Sequence, residues 1–469
     1  MRSGAGHALG LRPGSPPRIS GGLEGPCSRG ELPVLIEVEE GRVCDLSHDG
    51  VGIVKKDDKT YFVDGALPDE QIAFIPQKRR KGKHIARLEE VLAPSAHRVD
   101  PRCRYFGVCG GCAMQHLEIS GQIAHKEEVL VRNLDRIGKV EPERLLPPLT
   151  GEPWHYRRKA RLGVKHVEKK GGIIVGFRER QSSFITPLDW CETLDIRISC
   201  LLSELRSLVE RLSVCRRMPQ IEVSAGDADL ALVFRHLDPL SDGDRDRIVE
   251  FAAAHDVLTY VQPGGPQSLA PLYPPSPPEL SYSLDAYGIR LQFGPLDFIQ
   301  VNASVNRSLV ELAVNCLEPR EGERVLDLFC GIGNFTLPIA TSGAEVLGVE
   351  ADEALVARGR DNAHRNGLAN ARFLKMDLYT GDVQDVLKEG KADRILIDPP
   401  RSGADNVVRN LLPGSECERL VYVSCNPATL ARDAGVMVNG HGYRLKCAGV
   451  IDMFPGTAHV ESIAVFDRS

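Results

Sequence analysis

The sequence predicts a multidomain α/β protein with a small N-terminal β-barrel, a central α+β domain and a C-terminal α/β domain built on a mostly parallel sheet. Three observations support this prediction. Short Val/Ile-rich runs separated by turns occupy residues 32–93, a Pro-rich segment interrupts the pattern at 262–280, and strands alternate with helices from residue 322 onward. The 469 residues are 42% hydrophobic, so the chain can bury several cores.

Each predicted domain follows from its local pattern. Residues 1–31 are rich in Gly, Pro, Ser and Arg, a composition that buries too little apolar surface to order itself, so we expect a disordered lead or a start-site artefact. The strand spacing in 32–93 is typical of a small barrel. We place the central domain at 94–280 and the α/β domain at 281–469, because βαβ alternation implies helices on both faces of a parallel sheet.

The composition also indicates the cellular compartment and the role of the cysteines. The chain has a net charge of -6, thirteen cysteines and no apolar run near the roughly 18 residues that a membrane span needs. The N-terminus lacks the basic and apolar regions of a secretory signal. We therefore expect a cytoplasmic monomer without a membrane partner, whose cysteines serve as thiols, metal ligands or catalysts rather than as disulfides.

Positive charge is concentrated in two segments. Residues 77–87 carry six Lys or Arg and no acid, and residues 155–170 carry seven against one acid. Two basic runs on an acidic chain are typical of phosphate-contacting surfaces, so we predict a nucleic-acid partner. The candidate backbone contacts are Arg157, Arg158, Lys159 and Arg161.

The segment DLFCGIGNFT follows a predicted strand and opens a helix, where Gly331 and Gly333 would let the backbone approach a ligand closely. Glu350 ends the next strand, and a carboxylate there can accept hydrogen bonds from both ribose hydroxyls of a nucleoside. Thr336 stands where a dinucleotide-binding loop would have its third glycine, so a nucleoside without phosphates fits better than NAD. Asp377 ends the third strand and would lie near the base, with a capping role as the alternative.

A cysteine stands between a strand and a helix in LVYVSCNPATLARD, residues 420–433. Asn426 as N-cap and Pro427 at the first helical position would place Cys425 at a helix N-terminus, where backbone dipoles favour a thiolate. An unperturbed thiol with a pKa of about 8.5 is only a few per cent ionised near pH 7. Taken alone, a cysteine at a strand end is more often buried than nucleophilic.

A second group of cysteines has the spacing of a metal site. Cys103, Cys109 and Cys112 form C-x5-C-x2-C, and Gly110 and Gly111 allow the tight backbone that lets thiolates converge. A fourth ligand must come from elsewhere. Four thiolates suit zinc and an iron–sulfur cluster alike, so the residues by themselves leave the metal open.

Four motifs give the chain a resemblance that extends over nearly all of it after residue 30. DLFCGIGNFTLPIA, IDPPRSG, YVSCNPATLARD and DMFPGTAHVES resemble the motifs of S-adenosylmethionine-dependent RNA uracil-C5 methyltransferases. The barrel resembles the OB-like TRAM domain of that family, and CRYFGVCGGCAMQHL resembles the cysteine segment of its bacterial ribosomal subgroup. The resemblance implies a C-terminal Rossmann-like methyltransferase domain that binds S-adenosyl-L-methionine.

The resemblance also implies roles for individual residues. Cys425 is the expected nucleophile, and Glu461 in HVES is the expected general base, ahead of His459. By its match to the family position, Cys191 is the expected fourth thiolate, and the resemblance itself favours a 4Fe-4S cluster over zinc in an iron–sulfur central domain. The implied cofactor contacts are Gln300, Phe329, Asn334, Glu350, Asp377 and Asp398.

We therefore expect methylation of carbon 5 of a uridine in 23S ribosomal RNA, with the target base flipped out of a folded RNA. A transfer-RNA uridine methyltransferase is the first alternative, disfavoured because that branch typically lacks the barrel and the cluster cysteines. An adenine amino-methyltransferase would have an aromatic residue in place of Arg401, and DNA cytosine methyltransferases carry their cysteine in a Pro-Cys context. A non-catalytic RNA-binding assembly factor is disfavoured by the intact Cys425 and Glu461.

Overall fold

The computed structural model describes residues 37–77, 79–80, 82–388 and 390–469. The predicted lead at 1–31 lies outside these residues. The first element of the fold is a closed five-stranded barrel. The barrel is closed in the order β1-β2-β3-β5-β4 and filled by apolar side chains such as Val43, Val54 and Phe74, which confirms the predicted barrel. Its strands are β1 (Glu39–Leu46), β2 (Gly52–Lys56), β3 (Lys59–Asp64), β4 (Gln71–Pro76) and β5 (His84–Ala93).

The middle of the chain forms a mixed sheet with two helices, preceded by one helix and a short strand. The sheet has the order β12-β11-β10-β9-β7-β8, in which only β10 and β11 are parallel neighbours. The elements are α1 (Ile119–Asn133), β6 (Arg144–Leu145), β7 (Lys159–Val167), β8 (Gly172–Gly176), α2 (Ile196–Glu210), β9 (Gln220–Ala225), β10 (Leu230–Arg235), α3 (Asp242–His255), β11 (Leu258–Gln262) and β12 (Ala270–Tyr273).

The C-terminal part is an α/β sheet, as the alternating pattern predicts. Its order is β17-β16-β15-β18-β19-β21-β20-β6, with the first five strands parallel and β21 antiparallel to both neighbours. The elements are β13 (Leu280–Leu284), β14 (Ile289–Phe293), α4 (Ala303–Leu317), β15 (Arg324–Leu328), α5 (Thr336–Ala340), β16 (Glu345–Glu350), α6 (Glu353–Arg365), β17 (Ala371–Lys375), β18 (Arg394–Ile397), α7 (Leu412–Ser415), β19 (Arg419–Ser424), α8 (Pro427–His441), β20 (Tyr443–Ile451) and β21 (Glu461–Arg468).

Two early segments pack onto this C-terminal sheet. Strand β6 pairs in parallel with β20, and α1 continues through a π-helical turn, Leu134–Gly138, that packs against α8. The backbones meet so closely that a Cβ at Gly435 would lie 2.7 Å from the carbonyl oxygen of Gly138. Residues Val38–Ser469 form one compact unit. The predicted boundaries at 93/94 and 280/281 fall at the end of β5 and the start of β13, and the assignment of domains stays a prediction.

The parallel strands determine where polar groups collect. The carboxyl ends of β15 to β19 lie at one edge of the sheet, which is where open α/β sheets bind ligands. Phe329, Glu350, Asp398 and Cys425 end or directly follow four of these strands, and Asp377 follows the fifth, β17, two residues after it ends. Among the described residues, none of the helices has the length and apolar character of a membrane span.

Candidate active site

Cys425 lies between the end of β19 and the start of α8, on the wall of a cleft of about 670 Å³. The Asn426 side chain accepts a hydrogen bond from the Ala428 N–H at 3.1 Å, and Pro427 is the first helical residue. The predicted capping of this helix is therefore confirmed. The same cleft is lined by Arg and His side chains from four segments of the chain: His48, Arg132, Arg136, Arg401 and His459.

The surroundings of Cys425 favour its neutral form. Burial, together with the carboxylates of Glu461 and Asp398, raises the pKa of the thiol to about 11, whereas Arg401 lowers it. The helix N-terminus that the sequence predicts is present, but burial and the two acids outweigh it. In the resting protein the thiol keeps its proton, so deprotonation has to accompany the binding of a substrate or cofactor.

Glu461 begins β21 and lies beside the cysteine. The antiparallel register pairs Ser424 of β19 with Ser462 of β21, so Cys425 and Glu461 are neighbours one residue beyond the ladder. The Glu461 side chain is buried, and its Oε2 atom has no hydrogen-bond partner among the residues that the structure describes. Burial and the charge of Asp398 raise the pKa of Glu461 to about 8, against the lowering effect of Lys126 and Arg401. A carboxylate in such surroundings is a much stronger base than an exposed one.

Lys126 is a site residue that sequence reasoning missed. It is fully buried on α1, and its ammonium donates to Asp452 Oδ1 at 2.6 Å and to the Phe454 carbonyl at 3.1 Å. Its positive charge lowers the pKa of Glu461. Its position in the sequence could have indicated this role. Lys126 lies four residues before Leu130, on the apolar face of α1, and a lysine buried on such a face requires a partner.

Arg401, in the loop after β18, contacts both the loop after β19 and the loop that precedes β21. Its guanidinium donates to His459 Nδ1 at 2.8 Å, and its carbonyl accepts from the Asn426 side chain at 2.9 Å. Burial and the nearby Arg401 lower the pKa of His459 to about 4. Since His459 accepts this hydrogen bond as a neutral ring, it is a weaker base than Glu461. Asp398, just after β18, has its pKa raised to about 7 by burial and by Asp327.

The glycine-containing loop after β15 folds around Glu350. Phe329 adopts a positive φ of 65°, and the Glu350 carboxylate accepts from the Gly331 N–H at 3.2 Å and from the Ala351 N–H at 2.7 Å. Asp327 lies beneath this loop, fully buried, and accepts from Thr336 Oγ1 at 2.5 Å. Sequence reasoning missed Asp327, although an acid inside the apolar run RVLDLF is the signal for it.

Other predicted cofactor contacts have partners within the chain. Asn334 exchanges hydrogen bonds with the Asn306 amide at 3.0 Å and accepts from Tyr282 Oη at 2.8 Å. Asp377 is exposed and caps the following turn by accepting from Thr380 Oγ1 at 2.6 Å and from the Tyr379 N–H at 2.9 Å, and these two bonds lower its pKa. The capping alternative for Asp377 is thus observed. A cofactor role for each of the six predicted residues, Gln300, Phe329, Asn334, Glu350, Asp377 and Asp398, stays a prediction.

The four predicted ligand cysteines come together. Cys103, Cys109, Cys112 and Cys191 all line one small cavity beside Trp190. Burial, with a smaller contribution from the neighbouring thiols, raises the pKa of Cys109 to about 11 and of Cys112 to about 12. Four thiols on one cavity are the donor type that a thiolate-bound metal uses. Over the described ranges, no three His, Cys, Asp or Glu side chains are arranged to hold a metal ion, so the cluster stays a prediction.

The structure corrects the predicted phosphate contacts. Arg158 is 4% exposed, donates from Nε to the Gln300 carbonyl at 2.9 Å and lies over the Tyr282 ring, so its predicted contact with phosphate is wrong. The Lys159 ammonium is likewise bound to the carbonyls of Pro295 and Asp297. Arg161 stays exposed, paired with Glu222 at 3.2 Å, and Arg157 lies over the Phe454 ring. Alternation along β7 turns adjacent residues to opposite faces.

Together, the parallel sheet, the loop around Glu350 and the Cys425–Glu461 pair define a methyltransferase of the Rossmann-like class. A family model described as tRNA (uracil-5-)-methyltransferase matches residues 289–469. The chain is 52% identical over 426 residues to the 23S rRNA (uracil(1939)-C(5))-methyltransferase RlmD of Alkalilimnicola ehrlichii, covering 91% of this chain and 96% of that protein. The chain belongs to this family of RNA uracil-C5 methyltransferases.

Two further comparisons agree. The RlmD protein of Thiobacillus denitrificans is also 52% identical, over 91% of this chain and 99% of that protein. The crystal structure of Pyrococcus abyssi tRNA (uracil-54, C5)-methyltransferase with S-adenosyl-L-homocysteine has a TM-score of 0.70 and 23% identity, and covers 91% of this chain and 99% of that one. This likeness to a solved structure shows the shared fold.

Proposed function

We propose that the protein transfers a methyl group from S-adenosyl-L-methionine to carbon 5 of a uridine in 23S ribosomal RNA, through a covalent adduct between Cys425 and the uracil. The placement of Cys425 next to Glu461 at the end of the β19–β21 ladder is the observation that supports this best. A thiol on the wall of the cleft and an adjacent buried carboxylate, both with raised pKa values, suit a reaction that needs a nucleophile and then a base.

The chemistry explains the nucleophile. Carbon 5 of uracil is a weak nucleophile until Cys425 Sγ adds to carbon 6 and an enolate forms. The thiol proton has to leave during this addition, because the resting pKa of Cys425 is raised to about 11. Arg401 lowers that pKa and lines the same cleft, so its guanidinium stabilises the thiolate as it forms. When bound, S-adenosyl-L-methionine supplies the methyl group from a positively charged sulfonium.

The chemistry also explains the base. After methylation, carbon 5 carries a methyl group and a proton, and Glu461 Oε2 takes that proton so that the Cys425–C6 bond can break by elimination. The pKa of Glu461, raised to about 8, is suited to proton abstraction near neutral pH. Burial and the charge of Asp398 raise this pKa, whereas Lys126 and Arg401 lower it.

The residues present fit a nucleoside cofactor with a positive charge. Glu350, already oriented by backbone N–H groups at the end of β16, would hold the ribose hydroxyls. Asp398 and Glu461 are acids with raised pKa values and without a bonded cation of their own among the described residues. A sulfonium nearby would offset the repulsion between these two carboxylates.

Ribosomal rather than transfer RNA is supported by the relatives that match along nearly the whole chain. The proteins at 52% identity are named for uracil 1939 of 23S rRNA, whereas the solved structure named for tRNA shares 23% identity. The arginine-lined cleft beside Cys425 suits a phosphate backbone around a flipped base.

Deletion of the gene in its host is expected to remove one 5-methyluridine from 23S rRNA, and expression of the intact chain should restore it. Mass-spectrometric mapping of 5-methyluridine in 23S rRNA and in transfer RNA measures both. Loss of the modification from transfer RNA, with 23S rRNA unchanged, would replace the proposed substrate by the transfer-RNA alternative.

We also propose that Cys103, Cys109, Cys112 and Cys191 bind a 4Fe-4S cluster, which their shared cavity supports. Protein purified without oxygen is expected to contain about four irons per chain and to absorb broadly in the visible range. Cys112→Ser should lose iron, whereas Cys200→Ser, at an exposed cysteine on α2 outside the cavity, should retain it. Stoichiometric zinc in place of iron would contradict the cluster.

A further inference from the structure

We propose that a second groove binds a single-stranded RNA segment flanking the target uridine, with Phe184 at its rim as a stacking platform for one base. This inference rests on the proposed function and assigns a place to RNA outside the active-site cleft. The groove measures about 1020 Å³ and lies between the loop that carries Cys109 and Cys112 (the cysteine loop), β7 and the loop of residues 177–185.

The groove continues from the active-site cleft. Asp49, in the turn between β1 and β2, lines both the cleft beside Cys425 and the groove. An RNA strand that leaves the cleft past this turn therefore enters the groove directly. The span from cleft to groove gives the protein contact with nucleotides beyond the flipped one, which a folded RNA target needs for selection.

The two basic runs of the sequence meet at this groove. Arg161 and Lys165 line it from β7, and Arg178 and Arg180 line it from the adjacent loop, against the carboxylates of Asp49 and Glu179. The basic segment of the barrel, residues 77–87, contacts the same loop, since Arg80 Nη1 donates to Gln181 Oε1 at 3.2 Å. Arg161 is paired with Glu222 and Arg180 with Asp64. Lys165 and Arg178 add positive charge to the groove, and Arg80 adds more from a segment about a hundred residues away, as a phosphate-binding groove requires.

Phe184 distinguishes single strands from a duplex. Its side chain is 60% exposed, and its neighbours Ser183 and Ile185 line the groove. The backbone is held in place, because the Phe184 N–H donates to Ser182 Oγ at 2.9 Å and its carbonyl accepts from the Glu179 N–H at 2.9 Å. An ordered, exposed aromatic ring beside cations offers a face on which an unpaired base can stack, whereas the bases of a duplex are already stacked.

The cysteine loop supports this groove from behind. The Gly110 N–H donates to the Arg178 carbonyl at 2.8 Å, and the Arg180 N–H donates to the Val108 carbonyl at 2.9 Å. A Cβ at Gly110 would lie 2.9 Å from the Arg178 carbonyl oxygen, so only glycine permits this contact. The position of Phe184 thus depends on the segment that carries Cys109 and Cys112.

Phe184→Ala is expected to raise the KM for a 23S rRNA transcript by roughly tenfold and to leave kcat and cofactor affinity unchanged, because one stacked base is lost. Phe184→Trp should restore the KM, since indole also stacks. Leu237→Ala removes an exposed apolar side chain outside the groove and should leave the KM unchanged. An unaltered KM in Phe184→Ala overturns the stacking role.

The charge of the groove is tested separately by titrating the transcript at several salt concentrations. Lys165→Glu should weaken binding and reduce the salt slope by roughly one, the loss expected for a phosphate contact. Lys169→Glu makes the same charge change just beyond β7, outside the groove, and should behave almost as wild type. Equal effects of the two substitutions would overturn the groove as an RNA site.

Two outcomes distinguish a failure of the RNA-binding groove from a failure of the proposed methyltransferase function. If wild-type protein leaves 23S rRNA unmethylated, the proposed function fails irrespective of the groove variants. If wild type methylates the transcript normally and both groove variants impair activity only on ribosomal particles that contain protein, the groove contacts a protein and the RNA assignment is overturned.

Discussion

Cys425→Ala protein is expected to bind S-adenosyl-L-methionine with nearly wild-type affinity and to form no detectable 5-methyluridine. The thiol lines the substrate cleft, and its task is to add to carbon 6 of uracil, so its loss removes the enolate without removing a contact of the cofactor loop. Calorimetric titration with the cofactor and transfer of a labelled methyl group to 23S rRNA measure the two properties.

The control for this experiment is Cys200→Ala, which removes an exposed thiol from α2. It should retain full activity. Loss of cofactor binding in Cys425→Ala would contradict the assignment, because it would mean that Cys425 supports the donor site. Residual turnover near the wild-type rate would exclude covalent catalysis by this residue.

Glu461→Gln protein is expected to stall after methyl transfer. The amide keeps the size of the side chain but cannot accept the carbon 5 proton, so that step should slow by roughly 10²- to 10⁴-fold. Because elimination of Cys425 requires proton abstraction, a methylated protein–RNA adduct that survives denaturation should accumulate. Denaturing electrophoresis with labelled cofactor detects it.

The pH dependence supplies a second measurement. The pKa of Glu461 is raised to about 8, so in wild-type protein the rate of adduct breakdown should rise about tenfold per pH unit below that value and level off above it. Glu461→Gln should lose this dependence. A double variant that also lacks Cys425 should form no adduct. Normal turnover of Glu461→Gln would exclude Glu461 as the base and make His459 the next candidate.

Much of the C-terminal site could be predicted because its signals are local. Strand periodicity, the N-cap at Asn426 and the glycines after β15 each involve residues close together in the chain, and the structure has all three. The convergence of the cysteines around Cys191 followed from the family resemblance. Spacing alone left the fourth ligand open, because that residue lies on a distant loop.

The features that were missed depend on distant pairs. The burial of Arg158 results from packing against Gln300 and Tyr282, which composition alone does not reveal in a basic run. The raised pKa of Glu461 results from burial and from Asp398. Lys126 belongs to the site because α1 packs against the β20–β21 loop, where its ammonium binds Asp452. Electrostatic tuning of a site is a property of tertiary structure.

The pairing of β6 with β20 has a consequence for synthesis on the ribosome. The partner strand of β6 leaves the exit tunnel about 300 residues later. At about 5–20 residues per second, β6 and the apolar face of α1 wait roughly 15–60 s before the surface that buries them exists. We expect Val129, Leu130 and Leu134 to lack their C-terminal packing partners during that interval. We therefore expect the nascent chain to benefit from chaperone protection at that stage, and ribosome stalling between the two strands should increase its aggregation.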